Sequence, residues 1–199
     1  MIAYLKGNII ARNPASVILD VNGIGYLINI TLHTYTLIQN KNECLLYCYH
    51  YYREDGQSMI PVIYGFAEEQ ERNMFTHLLS VNGVGANTAR MMLSSMSVAE
   101  LEQAILIEND KLIQSIKGVG PKTAKKIVIE LKDKIGKTTS GSFTTVSAAN
   151  NTYRDEALSA LAMLGFNRQS AEKAIALALQ SNSKISSSEE LVKTALKNL

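Results

Sequence analysis

The chain has 199 residues, 46% of them hydrophobic and 19% charged, with a formal net charge of +2. This length allows one large domain or two to three small ones, and it buries a core without disulfide or metal staples. Two cysteines, Cys44 and Cys48, exclude a disulfide framework, no apolar run reaches the roughly 18 residues of a membrane span, and the start MIAYLKGNII lacks the pattern of a signal peptide, so the expected location is the reducing cytoplasm.

Residues 1–66 read as short strands. Ile2–Lys6, Ser16–Val21, Tyr26–Ile30, Cys44–Tyr49 and Val62–Tyr64 are β-branched or aromatic and bounded by turns. Asn22-Gly23, followed by Gly25, is a hairpin signal. Arg53-Glu54-Asp55-Gly56 marks a second hairpin tip, with Asp-Gly as its turn. Five short strands with tight turns fit an OB-like β-barrel, and a plain five-stranded sandwich fits them as well. The tyrosines between Tyr47 and Tyr52 are either ordinary strand aromatics or a surface on which bases stack.

From Glu68 the apolar period becomes helical. Helices are expected at about 67–80, 86–95, 98–107, 109–116 and 121–135, with Ser97-Val98-Ala99-Glu100 as a capping box. Residues 137–151 (KTTSGSFTTVSAANN) have almost no charge and no period, and read as a flexible linker spanning roughly 20 Å r.m.s.. Helical periods resume at about 153–164, 168–180 and 188–198, and Leu164-Gly165-Phe166 closes the first of these with a glycine C-cap. So small a unit must bury Leu158, Leu161, Leu164 and Ile175 to fold. The expected fold class is therefore α+β multidomain: an N-terminal five-stranded OB-like barrel over 1–66, a central helical domain over 67–136, a linker over 137–151 and a C-terminal three-helix domain over 152–199.

One internal repeat carries chemistry. Val81-Asn82-Gly83-Val84-Gly85-Ala86-Asn87-Thr88-Ala89-Arg90 recurs 35 residues later as Ile116-Lys117-Gly118-Val119-Gly120-Pro121-Lys122-Thr123-Ala124-Lys125. Each copy predicts a helix, a Gly-Val-Gly turn and a second helix. Two glycines permit a turn with positive φ and leave no Cβ in the way of a ligand. The helix that follows opens with free N–H groups and the positive end of its dipole, which together bind anions. Pro121 suits the first helical position, where its missing N–H costs nothing. This is the helix-hairpin-helix pattern, which grips a nucleic-acid strand by its phosphates without reading bases. The other reading is an ordinary helical corner with glycine in its turn.

Charge favours the phosphate reading. Residues 111–137 hold eight lysines against Glu130 and Asp133, a local charge of +6 in a nearly neutral chain. The candidate DNA-binding residues are Gly83, Gly85, Asn87 and Arg90 in the first copy. In the second they are Lys117, Gly118, Gly120, Lys122, Thr123, Lys125 and Lys126. The second copy is the better armed, because Asn87 stands where it has Lys122.

Catalytic and cofactor readings fare badly. Gly136-Lys137-Thr138 resembles the end of a P-loop, but Leu131 stands where the earlier glycine is required and the segment follows a helix. His33, His50 and His77 form no ligand spacing with either cysteine, so neither metal nor cofactor is expected. A nuclease or glycosylase would need clustered carboxylates or a catalytic Lys/Asp beside the repeat, and neither is evident. A general single-strand binder of the OB type and a protein-binding scaffold are the other classes. The double hairpin argues against the scaffold as the whole function.

The order of barrel, paired hairpins, linker and helical domain resembles the RuvA family of bacterial Holliday-junction proteins. The start MIAYLKGNI, Gly23-Ile24-Gly25-Tyr26, Arg53-Glu54-Asp55, Tyr64-Gly65-Phe66, Gln70-Glu71-Arg72, both Gly-Val-Gly turns and Leu164-Gly165-Phe166 carry that resemblance over essentially the whole chain. It implies a homotetramer, alone or as two tetramers sandwiching the DNA, that holds a four-way junction open and square. It implies an acidic pin at Glu54 and Asp55 that helps separate strands. It further implies a UBA-like C-terminal domain that recruits the RuvB hexameric ATPase, with Leu161, Leu164 and Phe166 near that surface, core packing being the competing role. The RuvC resolvase acts on the same junction in this family, and the member itself is not a motor. The sequence departs from the family pattern at Ser58-Met59-Ile60-Pro61, a few extra residues after the pin, and at Asn87, where a lysine is expected.

Overall fold

The computed structural model describes residues 1–139, 149–181 and 187–199. The chain divides between residues 142 and 143 into two compact units. The first begins with five strands, β1 (Tyr4–Asn13), β2 (Ser16–Val21), β3 (Ile24–Ile30), β4 (Glu43–Asp55) and β5 (Ser58–Phe66), and a helix α1 (Leu32–Ile38) between β3 and β4. They close a barrel in the order β1-β2-β3-β5-β4, with β4 returning to β1. Every pairing is antiparallel except β3 with β5, which share only Asn29↔Tyr64 and Ile30↔Gly65. The closure follows from alternation: Leu5, Val17, Leu19, Ile28, Ile30, Leu46 and Cys48 all point inward and are buried together. Both thiols are free and buried, and burial pushes Cys48 up to about 11.

Two features of this region differ from the sequence expectation. The helix α1 is one. Its Thr31 N-cap accepts a hydrogen bond from the Thr34 N–H at 3.0 Å, but the β-branched and aromatic run that follows gives no helical signal. What holds it is distant. The Thr31 and Thr34 hydroxyls donate to the Glu71 carboxylate, the latter at 2.7 Å, and the Thr34 hydroxyl accepts from the Ala67 N–H. Glu71 is 1% exposed, and burial raises its carboxyl above the ordinary range while the two threonines pull it back. The second difference is the length of β4 and β5. Ser58, Met59, Ile60 and Pro61 pair with Asp55, Glu54, Arg53 and Tyr52, so the extra residues lengthen a ribbon by a paired stretch of roughly 13 Å. Its turn is Gly56-Gln57, one residue past the expected Asp-Gly, with Gly56 at φ 62° and Asp55 still in the ladder.

The unit continues with α2 (Glu69–Leu79), α3 (Ala86–Ser95), α4 (Val98–Leu106), α5 (Asp110–Gln114) and α6 (Pro121–Thr139). The capping box on α4 is present, with Ser97 and Glu100 bonding each other's backbone N–H groups. Leu78, Met92, Leu101, Ile113, Ile127 and Leu131 form one core that runs on into Tyr64 and Phe66 of β5. Phe75 of α2 is the hub, with ring centroids 5.4, 5.0 and 4.9 Å from Tyr49, Tyr64 and Phe66. The tyrosines of β4 thus divide: Tyr49 and Tyr51 pack on this core, while Tyr52 is 57% exposed.

The second unit comprises α7 (Ala149–Met163), α8 (Arg168–Ser181), α9 (Ser188–Ala195) and a 3-10 turn (Leu196–Asn198). The segment read as a linker is helical at both margins. With no proline to stop it, α6 runs to Thr139, and α7 starts at Ala149; residues 140–148 lie outside the described residues. Ala157, Leu161, Ala171, Ala174, Ile175, Ala178, Leu191 and Ala195 make a core of small side chains. Gly165, at φ 93°, ends α7 as expected: its N–H bonds Ala162 O and the Phe166 N–H bonds Leu161 O. Leu161 and Leu164 are each expected either in the core or near a partner surface, and the structure separates them: Leu161 is fully buried in the core, whereas Leu164 is 61% exposed.

Candidate nucleic-acid interface

The two hairpins have matching backbones. The Val84 N–H bonds Val81 O at 3.1 Å, and the Val119 N–H bonds Ile116 O at 3.1 Å. Gly83 and Gly118 sit at φ 96° and 92°, conformations that a Cβ disfavours. Each second helix then begins identically, Ala89 N–H to Gly85 O and Ala124 N–H to Gly120 O, both at 2.9 Å. Val81, Val84 and Ala89 are buried in one copy, as are Ile116, Val119 and Ala124 in the other, so the apolar side of each turn is anchored in the core.

The opposite side is bare. A Cβ on Gly83, Gly85, Gly118 or Gly120 would meet nothing within 4 Å, so a ligand can come up to the backbone. No side chain caps α3 at Gly85, and Pro121 opens α6. The first-turn N–H groups and the dipole of each helix are left for an anion.

Charge separates the copies. Lys117, Lys122, Lys125 and Lys126 are exposed, and none makes an ion pair or hydrogen bond among the described residues. Lys122, Lys125 and Lys126 fall three and four apart and share one face at the start of α6; Thr123 beside them is half-buried. The basic stretch is not uniform, however. Farther along α6, Lys132 pairs with Glu108 and Lys134 donates to Ser80 Oγ at 2.9 Å. These tie the helix to its own domain. In the first copy Asn87 Oδ1 accepts from the Tyr64 hydroxyl at 3.1 Å, and Arg90 Nη1 donates to Ala15 O and Asn29 Oδ1, each at 3.3 Å. Arg90 is therefore engaged with the barrel. Ala15 and Asn29, its hydrogen-bond partners, carry no signal in spacing or composition, since contacts across 75 and 61 residues are made by the fold alone.

Glu54 and Asp55 lie exposed at the end of the β4–β5 ribbon. As consecutive strand residues they face opposite sides, Glu54 beside Met59 and Asp55 beside Ser58. Asp55 is 3.8 Å from the Arg53 guanidinium, which offsets part of its charge. In the second unit Leu164 and Phe166 are 61% and 37% exposed, while Leu161 is fully buried. Among the described residues no group of three or more His, Cys, Asp or Glu side chains is arranged to hold a metal ion, and no helix is long and apolar enough to cross a membrane.

Comparison with known proteins covers the same three regions. Residues 1–65 match the model of the RuvA N terminal domain, residues 75–133 that of the SAM-like helix-hairpin-helix tandem, and residues 153–199 that of the RuvA C-terminal domain. Proteins named Holliday junction branch migration complex subunit RuvA are similar from end to end. That of Christiangramia forsetii is 45% identical over 199 residues, that of Bacteroides fragilis 44% over 207, and that of Flavobacterium psychrophilum 42% over 201, each covering 100% of both chains. Full-length similarity at this level, together with the barrel and the paired hairpins, establishes that the chain belongs to the RuvA family.

Proposed function

We propose that the protein binds four-way DNA junctions and serves as the DNA-binding, non-catalytic subunit of a branch-migration complex in the cytoplasm. One observation carries this reading: two hairpins with matching hydrogen bonds and bare glycine turns, the second set beside four exposed, unpaired lysines. The contacts are to phosphate, from the backbone around Gly83, Gly85, Gly118 and Gly120 and from Lys117, Lys122, Lys125 and Lys126, with Thr123 at the second helix start and the backbone N–H of Asn87 at the first. A closed homotetramer matches a four-armed ligand by symmetry. The ribbon bearing Glu54 and Asp55 acts as a pin that repels phosphate and steers strands. Leu164 and Phe166 form the docking surface for the RuvB hexameric ATPase, which supplies the motor, and RuvC shares the junction.

The test is a gel-shift comparison of four-way junction, duplex and single strand over a salt series, with native mass measured on the same samples. Tight junction binding that weakens by about 0.9 in log–log slope per neutralised phosphate, equally for unrelated base sequences, supports the reading. Equal affinity for all three DNA forms, or a stable monomer with and without junction, overturns it. Removing residues 141–199 should leave junction binding intact and abolish ATP-driven branch migration with the partner ATPase; migration at the full-length rate by the shortened protein removes that domain from the mechanism.

A further inference from the structure

Asn87 and Arg90 of the first hairpin stand where the second has Lys122 and Lys125. In the second copy those positions reach into solvent. In the first, both polar side chains are turned onto the barrel, and the acceptors they meet are specific. Arg90 bonds the carbonyl of Ala15, in the β1–β2 turn, and the side chain of Asn29, on β3. Its guanidinium carbon lies 5.9 Å from the centre of the Tyr64 ring. Tyr64 in turn donates to Asn87. Asn29 and Tyr64 are register partners across β3 and β5, the barrel's shortest ladder, and Asn29 Nδ2 also bonds Ile63 O at 3.3 Å. The Ala15 carbonyl is shared, since it also accepts from the Ile30 N–H at 3.0 Å. Tyr64 is 3% exposed, and burial, with Tyr51 beside it, pushes its hydroxyl up to about 12, so it remains a proton donor. At the far end of α3, Ser94 Oγ accepts from the Leu32 N–H at 3.1 Å. The helix is therefore held at both ends against the barrel and α1.

We propose that Arg90, with Tyr64 and Asn87, is a positioning clip: it fixes the first hairpin at a set angle to the barrel, and thereby sets which DNA geometry the two hairpins fit, without touching phosphate. This inference rests on the junction-binding reading. A cation satisfied by two acceptors and a ring face is poorly placed to neutralise a phosphate, whereas rigid placement of the first turn lets its bare N–H groups bind at low ordering cost. The second hairpin supplies charge and the first supplies geometry.

The clip is tested with the full-length protein on a four-way junction and a duplex of the same sequence, across a salt series. Arg90→Gln is expected to lower the junction-over-duplex preference roughly five- to tenfold while the salt slope stays at the wild-type value. Arg90→Lys keeps the charge but loses the planar fork, and should fail to restore the preference. Lys122→Ala should do the reverse, lowering the slope by about 0.9 per lost contact with the preference unchanged. Tyr64→Phe removes a single hydroxyl from an intact ring cluster, and should reduce the preference about two- to threefold even if Arg90→Gln proves too unstable to assay. A slope that falls by about one in Arg90→Gln would make Arg90 a phosphate contact, and full rescue by Arg90→Lys would make it a bare charge. Wild-type preference in Tyr64→Phe would show that the clip sets nothing. Each of these overturns the clip alone, whereas a wild-type protein without junction preference overturns the junction reading and the clip with it.

Discussion

The two hairpins share a backbone and differ in what surrounds it. Both turns place a glycine in the left-handed region and anchor a valine and an alanine in the same core. The second helix start then carries exposed lysines, while the first carries Asn87 and Arg90 bonded to the barrel. A duplicated motif has thus kept the part set by local backbone geometry and diverged in the part set by its neighbours. On the proposed reading, the repeat marks where an anion binds, and the environment decides whether charge or pre-set shape drives that binding.

The largest expected effect comes from removing the charge. The double substitution Lys122→Ala, Lys125→Ala should weaken DNA binding roughly a hundredfold or more at low salt, taking a charge-assisted contact as about tenfold, and should flatten the salt slope by nearly two. Fluorescence anisotropy at several salt concentrations measures both. A similar loss from Asn87→Ala would erase the difference between the copies.

Next in size is the support beneath the first copy. Glu71→Ala should destabilise the first unit by about 2–3 kcal/mol in denaturant unfolding, because two buried hydroxyls lose their acceptor and α1, which holds the end of α3, loses its tie. Glu71→Gln isolates the charge. The folded-state carboxyl titrates above its unfolded value, so its contribution to stability is fully present below the ordinary carboxylate range and is lost as pH rises through the folded value. The stability of wild type relative to Glu71→Gln should therefore fall as pH rises from about 4 toward neutrality. A difference independent of pH would contradict burial as the cause.

The shared part of the hairpins predicts equal costs. Gly83→Ala and Gly118→Ala should each destabilise by about 1 kcal/mol, since both have positive φ and neither Cβ meets an atom within 4 Å. Thermal unfolding that separates the two by more than that amount would break the equivalence of the turns. The smallest effect is expected at the ribbon tip. Glu54→Gln with Asp55→Asn should leave junction affinity unchanged or slightly raised and increase duplex affinity by a fewfold, as exposed carboxylates near phosphate repel by about 1 kcal/mol at 4 Å in water. Strong loss of junction binding would instead make these side chains structural.

Much of this is legible in the sequence itself. Ser16–Val21 lies on β2 in full, and Gly165 ends α7 where Leu164-Gly165-Phe166 indicates. Such elements rest on alternation, helical period and glycine punctuation, all of which act within a few residues. Helix α1 was illegible because Thr31 and Thr34 depend on Glu71, about 40 residues away. Leu161 and Leu164 look alike on a helical period, and only packing among the three helices separates the buried one from the exposed one.

The repeated Gly-Val-Gly pattern and the lysines after it determined, from sequence alone, that this protein has two anion-ready hairpins of unequal charge. Those features depend on backbone φ, helix polarity and formal charge, which travel with the residues themselves. Which lysines stay free was decided by tertiary structure, since Lys132 and Lys134 are taken up by Glu108 and Ser80. So was the place of Arg90, a cation by sequence and a strut by position. Hydrogen bonds to Ala15 and Asn29 are 75 and 61 residues distant along the chain, and only closure of the barrel brings those acceptors within reach.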